Sequence, residues 1–277
     1  MDLIDFILNL AGLLVWLNWR SLRFDPLAGA TPKTLVGTLK HTRASPPQRW
    51  IFLALLASLL LLRALLYWQI GPALDWTAKL DLGARTLYFR SDYLGRILLY
   101  SVLSFACALG VLYMCLLLTA AVNRRMSDDE PLLRLVRLHL GRLARWPIWL
   151  QLALPWLVTF VVWLLLYPLL ARWQILTHTE SASRIVLQAT VIGVGSYLPL
   201  RHFIAALLVL NVLNSYIYLG KHAVWGMVDA TARNLLKPLA FLPLRLGRVD
   251  FAPLAAIVMV FVAGEIGRHW LPRLCPL

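Results

Sequence analysis

Acidic residues are scarce in this chain of 277 residues: 13 Asp and Glu stand against 27 Lys and Arg, and charged residues of both signs make up only 14 %. With 60 % hydrophobic residues, so thin a charge excludes a soluble domain, which would have to hide more apolar surface than its geometry allows. Cysteine is nearly absent. Cys107 and Cys115 lie eight residues apart in one apolar run and Cys275 is alone, which excludes a disulfide framework, a CxxC redox pair and a CxxCH haem attachment. His139, His202 and His222 are scattered and none has metal-ligand spacing. A haem role would need two histidines facing each other across spans. There is no Ser/His/Asp arrangement, no phosphate loop, no zinc motif and no pair of carboxylates in one span. The expectation is a protein without catalytic residues, metal or cofactor, and not an enzyme.

Long apolar runs take the place of these features. They predict an all-α polytopic transmembrane bundle of about six spans, roughly 3–19, 50–70, 94–122, 148–170, 198–219 and 253–270. The first run follows Asp2 and Asp5 and precedes Arg20 and Arg23, the reverse of a signal peptide's charge order. It reads as an uncleaved span, short by a turn, or alternatively as a helix in the interface. Trp50 and Tyr67-Trp68 mark the two ends of the second span, as interfacial aromatics do. Pro155 and Pro168 are expected to bend the fourth. Residues 71–93, with three acids balanced against three bases, and 171–193 read as polar connections.

A net charge of +14 raises nucleic acid as a partner in a soluble protein. Here Lys and Arg gather at the ends of apolar runs, as anchors facing anionic headgroups, so the bilayer is the expected partner and nucleic acid is not. Loops 20–49, 123–147 and 221–250 hold 17 of the 27 Lys and Arg. That bias places them in the cytoplasm and both termini outside, in a plasma (bacterial inner) membrane. Two amphipathic segments are expected to lie in the interface. One starts at Asp128-Asp129-Glu130-Pro131 and carries Arg134, Arg137, Arg142 and Arg145 on one broad face. The other sets Val228, Ala232, Leu235, Leu236 and Leu239 on one face and Asp229, Arg233 and Lys237 on another.

The second of these continues into the most patterned stretch of the chain, 234–253. It reads Asn234-Leu235-Leu236-Lys237-Pro238-Leu239, then Leu242-Pro243, Arg245 and Arg248, then Asp250-Phe251-Ala252-Pro253. Pro238 is expected to end or bend the surface helix, and Asp250 to cap the next span. The stretch resembles the YggT family of small integral membrane proteins, whose repeat carries Asn-Leu-Leu-x-Pro-Leu, Leu-Pro with basic residues, and Asp-Phe-(Ser/Ala)-Pro. The resemblance marks Asn234, Pro238, Pro243, Arg245, Arg248, Asp250 and Pro253 as family-motif residues. It implies a non-enzymatic role in cell-envelope processes: osmotic tolerance, division and shape, or, as in plastid relatives, cytochrome b haem assembly. A scaffold working with protein partners or copies of itself fits that role. The alternative is a small, potassium-like ion transporter or channel component.

A gapless shift of 103 residues carries Leu132, Leu133, Arg142, Leu143 and Arg145 onto Leu235, Leu236, Arg245, Leu246 and Arg248. The chain is thus expected to hold an N-terminal extension with two spans (1–93), a degenerate YggT-like repeat (94–170) and an intact one (198–270). The first copy lacks the Asn, the Leu-Pro and the Asp-x-x-Pro.

Two sets of polar residues fall inside spans. Arg63, Glu265 and Arg268 are charged, and a charge at that depth costs several kcal/mol unless it is paired. Arg63 and Glu265 lie at matching depth and suit a mutual pair; the favoured reading instead has Arg63 snorkelling outward and Glu265 paired with Arg268 on its own helix. Asn211, Asn214, Ser215 and Tyr218 form one stripe on the fifth span. They suit interhelical hydrogen bonds better than an ion path. Ala106-x-x-x-Gly110 and Ala263-x-x-x-Gly267 suggest close helix contacts.

Overall fold

The apolar runs form long helices whose greasy residues face outward. The structure is a computed structural model that describes residues 2–21, 46–72, 76–124, 131–176, 181–217, 223–239, 245–246 and 249–274. Its elements are α1 (Asp2–Ser21), α2 (Pro46–Ile70), a β1 (Ala78–Asp81) and β2 (Thr86–Phe89) pair, α3 (Leu94–Val122), α4 (Pro131–Leu140), α5 (Ile148–Arg172), α6 (Ala182–Gly195), α7 (Leu200–Tyr216), α8 (Ala223–Leu236), a β3 (Arg245–Leu246) and β4 (Val249–Asp250) pair, and α9 (Ala252–Leu274). Among the described residues six stretches are long and apolar enough to cross a bilayer: Leu3–Ser21, Trp50–Ile70, Leu94–Val122, Ile148–Arg172, Ala182–Ser215 and Ala252–Leu274. The all-α, multi-pass architecture expected from sequence is therefore present.

Burial runs opposite to that of a soluble protein. Leu3, Phe6, Trp149, Leu165 and Val258 are exposed, whereas Arg63, Ser101, Asn123, Gln151 and Thr231 are almost fully buried. Lipid tails reward no hydrophobic burial, so helices in a bilayer meet through small and polar side chains and leave their leucines outside.

The chain divides into two units. The first comprises Met1–Leu80 and Tyr88–Leu109, the second Asp81–Leu87 and Gly110–Leu277. In the first, α1, α2 and the opening of α3 pack around Arg63. In the second, two small apolar clusters hold the short amphipathic helices in place. Val136 and Leu140 of α4 pack on Leu117 and Ala120 of α3, and Ala232 of α8 packs on Leu208 of α7 and Ala256 of α9. Both helices are amphipathic as expected, but each turns its apolar face onto neighbouring helices. On α8 that face is Val228 and Ala232, with Arg233 and Lys237 exposed.

Several local expectations need correction. Residues 171–193 are not a simple polar connection: Ala182–Gly195 is helical, packs along α5 and joins α7 through the turn at 196–199. Ala, Val, Ile and Gly on its inner face replace the long leucine run by which a span is usually read. Residues 71–93 contain the β1–β2 hairpin. Gly141, at φ +58°, ends α4 one turn early, so Arg142 and Arg145 fall on a 3-10 turn and do not share a regular helical face with Arg134 and Arg137. The 103-residue shift also fails in its middle. It carries α4 onto residues 234–243, whereas α8 covers Ala223–Leu236. What recurs is the order of elements, long helix, short amphipathic helix, long helix, in α3–α4–α5 and α7–α8–α9.

Gly83, at φ +80°, and Gly195 bring two backbone segments close together. A Cβ on Gly195 would lie 2.9 Å from the Leu82 carbonyl oxygen and 3.1 Å from the Ala84 nitrogen. Those neighbours are backbone and cannot swing aside. Gly195→Ala is expected to cost about 1–3 kcal/mol, read as a lowered Tm in detergent. An unchanged Tm would mean that the hairpin does not close on α6.

Candidate functional site

Arg63 is the organising residue of the first unit. Its side chain is 1 % exposed, in the body of a span. The guanidinium fork donates from Nη2 to Asp5 Oδ1 at 2.5 Å and to Ser104 Oγ at 3.0 Å, and from Nη1 to Asn9 Oδ1 at 2.9 Å. Asn9 Nδ2 donates to the same Ser104 oxygen at 3.0 Å. Two phenols close the carboxylate: Tyr67 donates to Asp5 Oδ1 at 2.7 Å and Tyr100 to Oδ2 at 2.9 Å. Both rings also stand near the guanidinium carbon, at 5.7 and 5.2 Å from their centroids, within cation–π reach. Trp76 packs on Tyr67 at 4.7 Å and Phe89 on Tyr100 at 5.5 Å, so the hairpin strands and their approach roof the cluster.

Each helix supplies its pair by the same device. Asp5 and Asn9, Arg63 and Tyr67, and Tyr100 and Ser104 are each separated by four residues, one turn, and so share a face. Together they hold one positive and one negative charge, and three hydrogen bonds satisfy the carboxylate. A buried ion pair is tolerated when its remaining lone pairs and protons find partners. Arg63 Nε alone among the guanidinium nitrogens has no partner among the described residues. Ser101 Oγ, donating to the Leu60 carbonyl at 3.0 Å, adds a further tie between α3 and α2.

A second polar node lies in the other unit, where the sequence motif places Asn234. Asn123, fully buried just past α3, donates from Nδ2 to Thr231 Oγ1 at 2.8 Å and to the Thr119 carbonyl at 3.0 Å. Its Oδ1 accepts from Asn234 Nδ2 at 2.9 Å, and its backbone carbonyl accepts from Arg137 of α4 at 3.2 Å. One asparagine thus ties the end of α3 to α4 and α8. Asn214 of α7 donates to Asp229 of α8 at 2.9 Å, the interhelical role expected of the stripe.

The other singled-out residues are less gathered. Arg63 neither snorkels outward nor pairs with Glu265; its partner is Asp5. Glu265 does not pair with Arg268 on its own helix: it faces Arg201 at 3.6 Å, and Arg268 faces Asp81 at 3.9 Å. Asn211 is half-buried and Ser215 exposed, while Tyr218 lies outside the described residues. Of the motif, Pro238 sits in the 3-10 turn that ends α8, and Pro253 is buried in the first turn of α9. The backbones of Arg245 and Asp250 face each other across the β3–β4 pair. The side chain of Asp250, expected to cap α9, and the residues Pro243 and Arg248 lie outside the described set. The Gly267 pair is in contact, with a Cβ there 3.2 Å from Leu198, but a Cβ on Gly110 would meet nothing within 4 Å.

Asp5, Asn9, Tyr67, Tyr100 and Ser104 are functional candidates that the sequence reading missed. Asp5 reads there only as part of an acidic N-region and Tyr67 only as an interfacial aromatic. The signal lay in the recurrence of a polar pair four residues apart on each of three successive spans.

Among the described residues no group of three His, Cys, Asp or Glu side chains could hold a metal ion. No protein-family model, no curated protein and no solved structure matches this chain.

Proposed function

We propose that this chain is a non-enzymatic membrane scaffold or assembly factor of the YggT type, acting in cell-envelope processes such as osmotic tolerance, division or the biogenesis of membrane complexes. The family part of the reading rests on the ordered motif from Asn234 to Pro253. The scaffold part rests on one observation: polar side chains of this chain bond to one another between helices. Arg63 spends its fork on Asp5, Asn9 and Ser104, Asn123 on Thr231, and Asn214 on Asp229. A conduction path needs such groups turned toward water or ions. In this reading the basic loops face the cytoplasm of a bacterial inner membrane. They hold anionic headgroups and dock membrane proteins or further copies of the chain.

Ion flux in vesicles reconstituted with the purified chain tests the proposal. The expected result is potassium flux no greater than in protein-free vesicles. Selective flux abolished by Asn211→Leu or Asn214→Leu would overturn the scaffold reading in favour of transport.

A further inference from the structure

Glu265 stands in a span with its carboxylate largely uncovered. It lies about 20 Å along α9 from Ala252 and about 14 Å from Leu274, at 1.5 Å per residue. Its side chain is 73 % exposed, and its 3.6 Å approach to Arg201 is too long for a good hydrogen bond. Arg201 is meanwhile engaged elsewhere, with Nε 3.2 Å from His202 Nε2 and its guanidinium carbon 5.9 Å from the centre of the Phe261 ring. One turn beyond Glu265, Arg268 is also more than half exposed and faces Asp81 at 3.9 Å. Among the described residues these two are not each other's partner. A carboxylate at such depth is costly unless a donor meets it.

The surroundings of Glu265 are ordered. Leu254, Val258, Phe261, Glu265 and Arg268 follow at spacings of four, three, four and three residues, the seam of a left-handed helix pair, and all five are exposed. The face of α9 packed inward, with Pro253, Ala256, Gly264 and Leu271, lies about 100° round the helix from this seam, at 100° per residue. Apolar residues on the seam gain little from leaving lipid, so any partner must be chosen by the charges. An acid and a base one turn apart on one seam are their own complement across a two-fold axis. A foreign span bearing a single cation would meet Glu265 and leave Arg268 uncovered.

We propose that α9 packs parallel to α9 of a second copy of this chain, about a two-fold axis along the membrane normal, with Glu265 of each copy meeting Arg268 of the other. This names a partner for the scaffold proposed above and rests on that reading. Self-association and ion flux are separate measurements, so either can fail alone.

Oxidative crosslinking in membranes tests the pairing, using the full chain with Cys107, Cys115 and Cys275 changed to Ala. Val258→Cys, on the seam, is expected to give a disulfide-linked dimer. Ala263→Cys, exposed on the other flank of α9, is expected to stay monomeric. Adding Arg268→Glu to Val258→Cys sets acid against acid and should lower the dimer-to-monomer ratio about tenfold. A monomeric Val258→Cys chain, equal crosslinking at both positions, a dimer indifferent to Arg268→Glu, or crosslinking of Val258→Cys to a different protein would each overturn the proposal. The first comparison alters no charge, so it stands even if the Arg268 variant fails to fold.

Discussion

Arg63→Leu is expected to destabilise the first unit by about 3–5 kcal/mol, because it strands Asp5 as a buried carboxylate without its cation. Asp5→Leu should cost a similar amount by stranding the guanidinium, whose 1 % exposure leaves it no route to water. Replacing both removes the charges together and should cost well under the sum of the two. That gap is the coupling energy of a double-mutant cycle. Arg63→Lys tests geometry rather than charge. A single ammonium cannot reproduce a planar fork that reaches Asp5, Asn9 and Ser104 at once, so the variant should recover only part of the loss. Equilibrium unfolding in mild detergent, followed by tryptophan fluorescence, reads all four proteins. Strictly additive losses would mean that the two side chains do not share one site.

Asn123→Leu carries the second large effect, about 1–3 kcal/mol for each buried group it leaves unsatisfied. It removes the donor that meets Thr231 and the acceptor that meets Asn234, and the branched leucine must then fit a site with no free surface. Asn234→Leu should cost less, because Asn234 is only half-buried and Asn123 keeps its bonds to Thr231 and Thr119. Limited proteolysis of the chain in membranes separates the two, with α8 becoming cleavable at lower protease in the Asn123 variant. If Asn234→Leu were the more damaging, the motif asparagine would hold a role beyond anchoring α8. Such a role would strengthen the family reading.

How much was legible in sequence differs between spans and site. The second and third spans are read to within a residue, since leucine runs of that length have one physical explanation. The α6 segment was not legible, because Ser183, Arg184, Gln188 and Thr190 dilute the apolar signal, although Gln188 turns inward. The β1–β2 hairpin escaped notice because its strands are four residues each. At the site, Arg63 stands out as a charge in the body of a span, but its partner does not. Asp5 lies in the first turns of α1, where a charge is unremarkable, and only the fold brings it to Arg63, 58 positions away. The Arg63–Glu265 alternative failed because the guanidinium is already taken by Asp5, Asn9 and Ser104.

The Arg63 cluster is closed against water, its guanidinium 1 % exposed. In a chain with its native cysteines replaced, Ser104→Cys puts a thiol beside the guanidinium, at a position 7 % exposed. Labelling it with a small, charged, membrane-impermeant maleimide, applied from each side of the membrane in turn, measures that closure. No labelling is expected from either side until the chain is unfolded. Rapid labelling of the folded protein from one side would reveal a water path reaching Arg63, and would contradict a sealed structural tie.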